Sequence, residues 1–313
     1  MRVLGALLRA VVLLVAGSAT VFAACDALPG DAAETLGGGR VTSTQLDELR
    51  ARRGLSEPMW VRWWHTARDL VGGDAGHSLL TGRSVREVIG ERLPATLVLA
   101  GLSLACAALV CVAGCLLAGR RAIRRPHTGP AGFATALAAV PQPVVAAGLT
   151  ALLSGGLAVV PPVSLLPAGG NPLTEPRILI LPVLTIALPI AAFATALLGG
   201  AVADVLLAPH VADARLRGVP PGRILRRQVA PALTVPALRV LAVAVSATIA
   251  GAALAETTFG YTGVGELLVT AVATRDTPVV HLLAVGSAAV VLAVSSVADL
   301  IAEREARCAG PGG

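Results

Sequence analysis

The sequence predicts an all-α membrane protein of about six transmembrane helices, and three observations predict it. The 313 residues are 55% hydrophobic and only 14% charged, with a mean hydropathy of +0.77. Soluble domains are roughly 25% charged, and a soluble fold of this length cannot hide so much apolar surface. The apolar residues also come in uncharged runs, several long enough to cross a hydrocarbon core of about 30 Å. Finally, the arginines gather in short loops beside those runs, the pattern that sets membrane orientation. That placement accounts for the net charge of +6 without a nucleic acid partner.

The first expected span is Val3 to Ala24, with Arg2 and Arg9 at its start. Its end, "VFAAC", imitates a lipoprotein cleavage site at Cys25. More spans follow, so it reads as an uncleaved helix. Asp26 to Leu93 is a long polar segment of nearly balanced charge with Trp60, Trp63 and Trp64 in its middle. Tryptophan favours membrane interfaces, and the three can equally form a small core. The second span, Pro94 to Gly119, closes on Arg120, Arg121, Arg124 and Arg125. The third covers Ala131 to Val160 with Pro141 and Pro143 inside it, tolerable because neighbouring helices can satisfy the freed backbone groups. A proline-rich loop leads to the fourth, Ile178 to Ala203. The fifth is Val240 to Ala255, with Arg239 and Glu256 expected at its two interfaces. The last is Val279 to Ile301, before the tail "AEREARCAG". Arginine placement puts both termini in the cytoplasm. This divides the chain into 1–93 (first helix and extracytoplasmic loop), 94–303 (five helices, with a loop at 204–236) and a tail, 304–313.

Several chemistries are excluded or weak. All 25 basic residues are arginine. A phosphate-binding loop of the usual type needs its lysine, and so does a Schiff-base enzyme. Cys106, Cys111 and Cys115 lie in an apolar run and read as small buried hydrophobes; no structural disulfide is expected. His and Cys share no metal-ligand spacing, so neither a metal site nor a cofactor is expected. Gly263 to Gly265 follows no strand and opens no dinucleotide unit. His281 reads as an interface residue of the last helix, although a histidine can titrate near neutrality. Glu256, an ionisable group near a span end, is a candidate for a transport pathway or its outer gate; a structural role is the plainer alternative. No catalytic residue is expected.

Between the fourth and fifth spans stands "HVADARLRGVPPGRILRRQVAP", His210 to Pro231, with five arginines and a Gly-Val-Pro-Pro-Gly break. Pro209 can start a short helix and Gly218 can end it in the left-handed conformation. "VPP" cannot continue it, and "RILRRQVA" reads as a second short helix. A plain connection needs only a few residues, so this loop reads as a docking surface. Its alternative is an arginine cluster that fixes topology and binds anionic lipid.

Ala212, Asp213, Ala214 and Gly218 match the spacing of the E-A-A-x-x-x-G loop of ABC-transporter permease subunits. The wider sequence resembles the dipeptide/oligopeptide/nickel branch. "LPGD" follows the first helix, and "GGDAGHSLLTGRSVREVIGERLPATLVLA" resembles the branch's "GDLGxS…RLPxTLxL". "ILPVLTIALP" resembles the start of its fourth helix. "AETTFGYTGVGELLVTAVATRDTPVV" resembles "ETVFxxPGLGxLxxxAxxxRDxPxV", and "SSVADLI" occupies the place of "NLLVDLxY". The motifs keep the family's order and spacing over nearly the whole chain. There are departures. Ala212 stands at the motif's glutamate, with Asp213 beside it offering an acid. His210 stands where the family has tyrosine, Arg217 where it has lysine, and Thr262 where it has proline. Ala196 and Gly199 occupy positions that usually hold arginine.

The resemblance implies a type I importer permease fold. It makes residues 208–218 a cytoplasmic coupling helix that contacts an ATPase subunit through Ala212, Asp213, Ala214, Arg215, Arg217 and Gly218. It implies partners: two ATP-binding subunits, a second homologous permease and an extracytoplasmic substrate-binding protein, all at the cell membrane. The substrate would be a peptide or a related small solute, nickel included. A single-component carrier is the competing class and calls for acids at mid-membrane and paired broken helices; the mid-span runs carry no such acids. An intramembrane hydrolase would need a facing nucleophile and base.

Overall fold

The computed structural model describes residues 2–27, 57–124, 131–165 and 172–308. The "LPGD" stretch, residues 32–56 of the polar segment after it, the side chains of Arg121, Arg124 and Arg125, and the last five residues lie outside the described residues. Most of what is described is helical. Among the described residues five helices are long and apolar enough to cross a membrane: Leu8–Ala27, Val85–Arg120, Pro176–Leu207, Thr234–Phe259 and Thr277–Glu305. In hydrocarbon a helix is the one open-ended element that satisfies its own backbone polar groups, and Ala- and Leu-rich runs favour it.

Two compact units divide the chain. The first holds α1 (Arg2–Ala27), α2 (Met59–Val71), the start of α3 (Val85–Arg124), α9 (Val264–Ala273) and the first half of α10 (Thr277–Cys308). Its apolar core is Val85, Leu267, Ala271, Val279, Val280 and Leu283, with Val21 and Cys25 of α1 against it. Two of the motif stretches meet here. The Asp276 carboxylate accepts from the Ser78 hydroxyl and, at 3.0 Å, from the Leu79 N–H. So "GDAGHS" and "RDTP", far apart in sequence, form one joint. Arg92 and Glu266 pair beside it. His281 is a correction to the expected interface residue. It is 1% exposed, its Nε2 lies 2.7 Å from the Ser18 hydroxyl, and its ring stands edge-on to Phe22. A polar ring is kept inside because it has a hydrogen-bond partner there.

The second unit is built around α6 (Ile180–Leu207), which packs against α4 (Ala131–Ala138), α5 (Gln142–Leu149) and α8 (Thr234–Phe259). Small residues, Ala187, Ala191, Ala192 and Ala194, are buried on it and let neighbouring backbones come close, as membrane helix packing requires.

The third expected span is also corrected. It is not one helix. α4 stops at Ala138, Pro141 caps α5, and Thr150–Gly156 winds as a π-helix. The proline without an N–H starts a new helix rather than kinking an old one. Gln142 then ties the break to α8, its Nε2 donating to the Gly251 carbonyl at 3.1 Å. Residues 131–156 are therefore a run of helical pieces, none of them of membrane length. The fifth span is longer than its uncharged run. It begins at Thr234, carries Arg239 exposed on its side and ends where Gly260 turns left-handed at φ 69°. Glu256 is not a water-facing interface residue: it is fully buried.

Candidate functional site

The loop between α6 and α8 is a small folded body. α6 ends at Leu207. Ala208 is extended (φ −63°, ψ 141°), and its carbonyl accepts from Val211 and Ala212. Pro209 takes the first position of α7 (Pro209–Leu216), where a missing N–H costs nothing. At the other end Gly218 N–H donates to Arg215 O at 2.9 Å and Val219 N–H to Ala214 O at 3.1 Å. With Gly218 at φ 74°, this is a complete Schellman motif. Val219 packs on the same apolar cluster as Ala214, supplying the hydrophobic contact that accompanies the motif.

The two faces of α7 differ. Val211 and Ala214, three residues apart, are buried against Val202 and Leu206 of α6 and against Ile224, Leu225 and Val229 of the return segment. That segment runs through short α- and π-helical turns from Pro221 to Ala232, where "RILRRQVA" was expected to begin a helix at Arg223. A close approach fastens the body to α3: a Cβ on Gly119 would stand 2.8 Å from Leu225 Cδ2. Arg215 also turns inward, its Nη2 donating to the Leu206 carbonyl at 3.2 Å. A cation there satisfies one of the orphan carbonyls at the end of α6 and complements its dipole.

The opposite face is open. Ala212, Asp213 and Arg217 are exposed, and Leu216 is 89% exposed. Asp213 and Arg217 form an i, i+4 ion pair of 2.7 Å. So exposed a pair contributes only about 0.3–0.5 kcal/mol; it orders the charges more than it stabilises the helix. Of the six expected contact residues, three therefore face outward, Ala214 and Arg215 mount the helix, and Gly218 ends it. Leu216 was missed, because its spacing did not say which way it points. Arg215→Ala is expected to loosen the mounting by on the order of 1 kcal/mol, lowering the thermal midpoint of the permease. Arg217→Ala, which removes only the exposed ion pair, should lower that midpoint clearly less. Equal midpoints for both would remove the inward role of Arg215.

Glu256 is not part of this body. It lies in the last turn of α8, about 33 Å of helix from Thr234. Gly260 and Tyr261 N–H groups close that helix on its carbonyl. Burial, then the nearby Glu256 charge, pushes the Tyr261 hydroxyl well above the usual phenol range, so it stays neutral. Ser18 and His281 are the residue types of a nucleophile and its base. Yet they are only 8% and 1% exposed, and the Ser18 oxygen already accepts the Trp63 N–H at 3.0 Å. They form a clasp among α1, α2 and α10. Among the described residues no three His, Cys, Asp or Glu side chains gather to hold a metal ion.

The comparisons agree with this architecture. Residues 94–307 match the family model described as binding-protein-dependent transport system inner membrane component, and residues 2–100 match the model of its N-terminal part. The chain is 29% identical over 313 aligned positions to a probable D,D-dipeptide transport system permease protein of Escherichia coli K12, covering 93% of this chain and 92% of that one. It is 26% identical to a probable peptide ABC transporter permease protein of Sinorhizobium fredii, covering 87% of each. It is also 26% identical to a glutathione transport system permease protein of Escherichia coli K12, covering 84% of each. With its membrane-length helices, its mounted loop helix and a family match over most of its length, the chain belongs to the inner membrane components of binding-protein-dependent transport systems, the permease subunits of type I ABC importers.

Proposed function

We propose that this chain forms half of a translocation pathway for peptides or a closely related small solute, opened alternately to the two sides of the membrane by ATP-driven partners. The observation that carries the reading is α7, a short helix fixed rigidly on one face and bare on the other. Val211 and Ala214 join it to the end of α6, and Gly119 brings α3 against its return segment. A push on Ala212, Asp213, Leu216 and Arg217 would therefore reach two membrane-length helices. Two ATP-binding subunits would supply the push, one through this helix and one through a second, homologous permease. An extracytoplasmic binding protein would deliver the solute. The chain itself would make and break no bonds. The relatives named for peptide, D,D-dipeptide and glutathione transport all point to amide-linked solutes; nickel remains a solute of the wider resemblance.

The division near residue 93 is part of the same reading, with the N-terminal helix and loop added to a five-helix permease body. Glu256, closed off in the last turn of α8, is the candidate for the outer gate. In this orientation both termini and α7 are cytoplasmic. A single cysteine at Gly222 should then resist an impermeant thiol reagent in intact cells, while cysteines at Ser43 and Gly169 should react. Labelling at Gly222 would reverse the orientation.

The test of function is co-purification. The tagged permease should bring ATPase subunits with it from the membrane, and the complex should hydrolyse ATP faster when the loaded binding protein is added. The chain alone, which contains no lysine for a phosphate-binding loop, should hydrolyse none. Solute uptake by the isolated chain, driven by an ion gradient, would make it a single-component carrier instead.

A further inference from the structure

The helix α2 belongs to the polar segment, yet it is built to lie against a membrane. Trp60, Trp64 and Val71 are 68%, 59% and 91% exposed. At 100° per residue they fall, with Ala67, within about 60° of the helix circumference. His65 and Asp69 lie on the far side of the same helix, both exposed. The large apolar side chains are bare, Ala67 between them is half-buried, and the exposed polar residues run from Arg68 at the edge of the stripe round to Asp69 opposite it.

The remaining face anchors α2 to membrane-length helices. Trp63 donates to the Ser18 hydroxyl at 3.0 Å, and that hydroxyl lies 2.7 Å from His281 Nε2. The Arg62 guanidinium stands 5.6 Å over the Phe22 ring and reaches Asp26 at 2.8 Å. These contacts give the depth. Ser18 lies about 13 Å of helix before Ala27, the last described residue of α1, and His281 about 6 Å inside the start of α10. The helix thus runs beside the last turns of a span, not above them. On α1 itself Val11, Val12 and Val15 are exposed and apolar, as residues facing lipid are.

We infer that α2 is an interfacial helix whose Trp60, Trp64 and Val71 insert at the headgroup–acyl boundary of the bilayer, holding the polar segment down on the membrane surface. Indole suits that boundary because its body is apolar and its N–H can meet a headgroup oxygen. An amphipathic helix with aromatic residues on one side and charge on the other lies in the interface plane. A soluble partner covering the same stripe is the competing occupant. It would have to reach side chains held level with the end of a membrane helix. The inference uses only the membrane placement of α1 and α10, not the transport assignment, so failure of one leaves the other standing.

The chain's three tryptophans all lie in α2, so fluorescence reports on this helix. The permease complex is placed in nanodiscs of phosphatidylcholine, either unbrominated or brominated near the headgroup end of the acyl chains. The same is done for the Trp60→Phe/Trp64→Phe variant. Subtracting the variant removes Trp63 and any partner tryptophan. The difference signal should fall roughly twofold or more in the brominated discs, and dissolved iodide should barely change it. If iodide removes the difference signal and bromine does not, the stripe faces water and the inference is wrong. If bromine has no effect and added binding protein shields the signal from iodide, the occupant is a protein and the inference is equally wrong. Should the double variant fail to assemble, Trp60→Phe and Trp64→Phe singly give the same subtraction one ring at a time.

Discussion

Gly218→Val is expected to reach the membrane in normal amounts and yet lose most ATPase co-purification and most solute uptake. The reason is local. Gly218 sits at φ 74°, where an L-residue brings its Cβ against a neighbouring carbonyl at about 1–2 kcal/mol, and a β-branched side chain fares worse. No other heavy atom lies within 4 Å of the place a Cβ would take, so the cost is one of backbone conformation and not of crowding. That permits a graded series. Gly218→Asn should be mildest, because asparagine visits the left-handed region most readily after glycine. Gly218→Ala should be intermediate and Gly218→Val most severe. Relief of the strain would break the bonds from Gly218 to Arg215 and from Val219 to Ala214. It would unwind the last turn of α7 and move Leu216 and Arg217. None of these changes alters a charge. If the loop only fixes topology and binds anionic lipid, all three variants should behave as wild type. Co-purified ATPase and uptake, each normalised to permease in the membrane, decide between the readings, and wild-type values for Gly218→Val would end the coupling-helix assignment.

That loop could be read closely from sequence because its signals are local. Proline at the first helical position and glycine past the last one each act within a turn, and Val211 and Ala214 repeat at the helical period. What could not be read depends on distant partners. Pro141 looks the same in a kinked helix as in a broken one. The outcome in this chain goes with Gln142 bonding Gly251, 109 residues away. The fifth span was drawn too short because hydropathy marks where charge stops, whereas a helix stops where its backbone does. Arg239 rides on the side of α8 with its head free to reach water. Glu256 was placed at an interface by the same rule, and nothing in its neighbours' identities said that it would be fully buried. His281 carried no visible partner, since Ser18 lies 263 residues earlier. The pairing of "GDAGHS" with "RDTP" was hidden in the same way. Both motifs could be recognised, but recognition of two stretches does not show that they touch.

Their contact supplies the second large effect. Asp276→Ala is expected to destabilise the first unit by about 3 kcal/mol, most of it from groups left behind. Asp276 is 4% exposed, and Ser78 beside it is 2% exposed. Removing the carboxylate leaves the Ser78 hydroxyl and the half-buried Leu79 N–H without the acceptor they share, and the hydroxyl has too little access to water to replace it. The damage should spread, because Ser78 also organises its own turn: its oxygen accepts the Thr81 N–H at 3.0 Å, and its N–H donates to Arg83 O. Val85, the first residue of α3 and fully buried, lies two residues beyond Arg83. Asp276→Asn separates charge from geometry. An asparagine can still accept from Leu79 N–H through its oxygen, and its amide N–H can donate to the Ser78 oxygen, so about 1–2 kcal/mol should be lost. Ser78→Ala, which removes the donor and leaves the Leu79 bond in place, should fall in the same range. The measurement is the thermal midpoint of the detergent-solubilised permease, with membrane abundance as a second readout. The order expected is wild type, then Asp276→Asn and Ser78→Ala together, then Asp276→Ala. An Asp276→Ala midpoint equal to wild type would mean that the two motifs do not hold each other in the membrane.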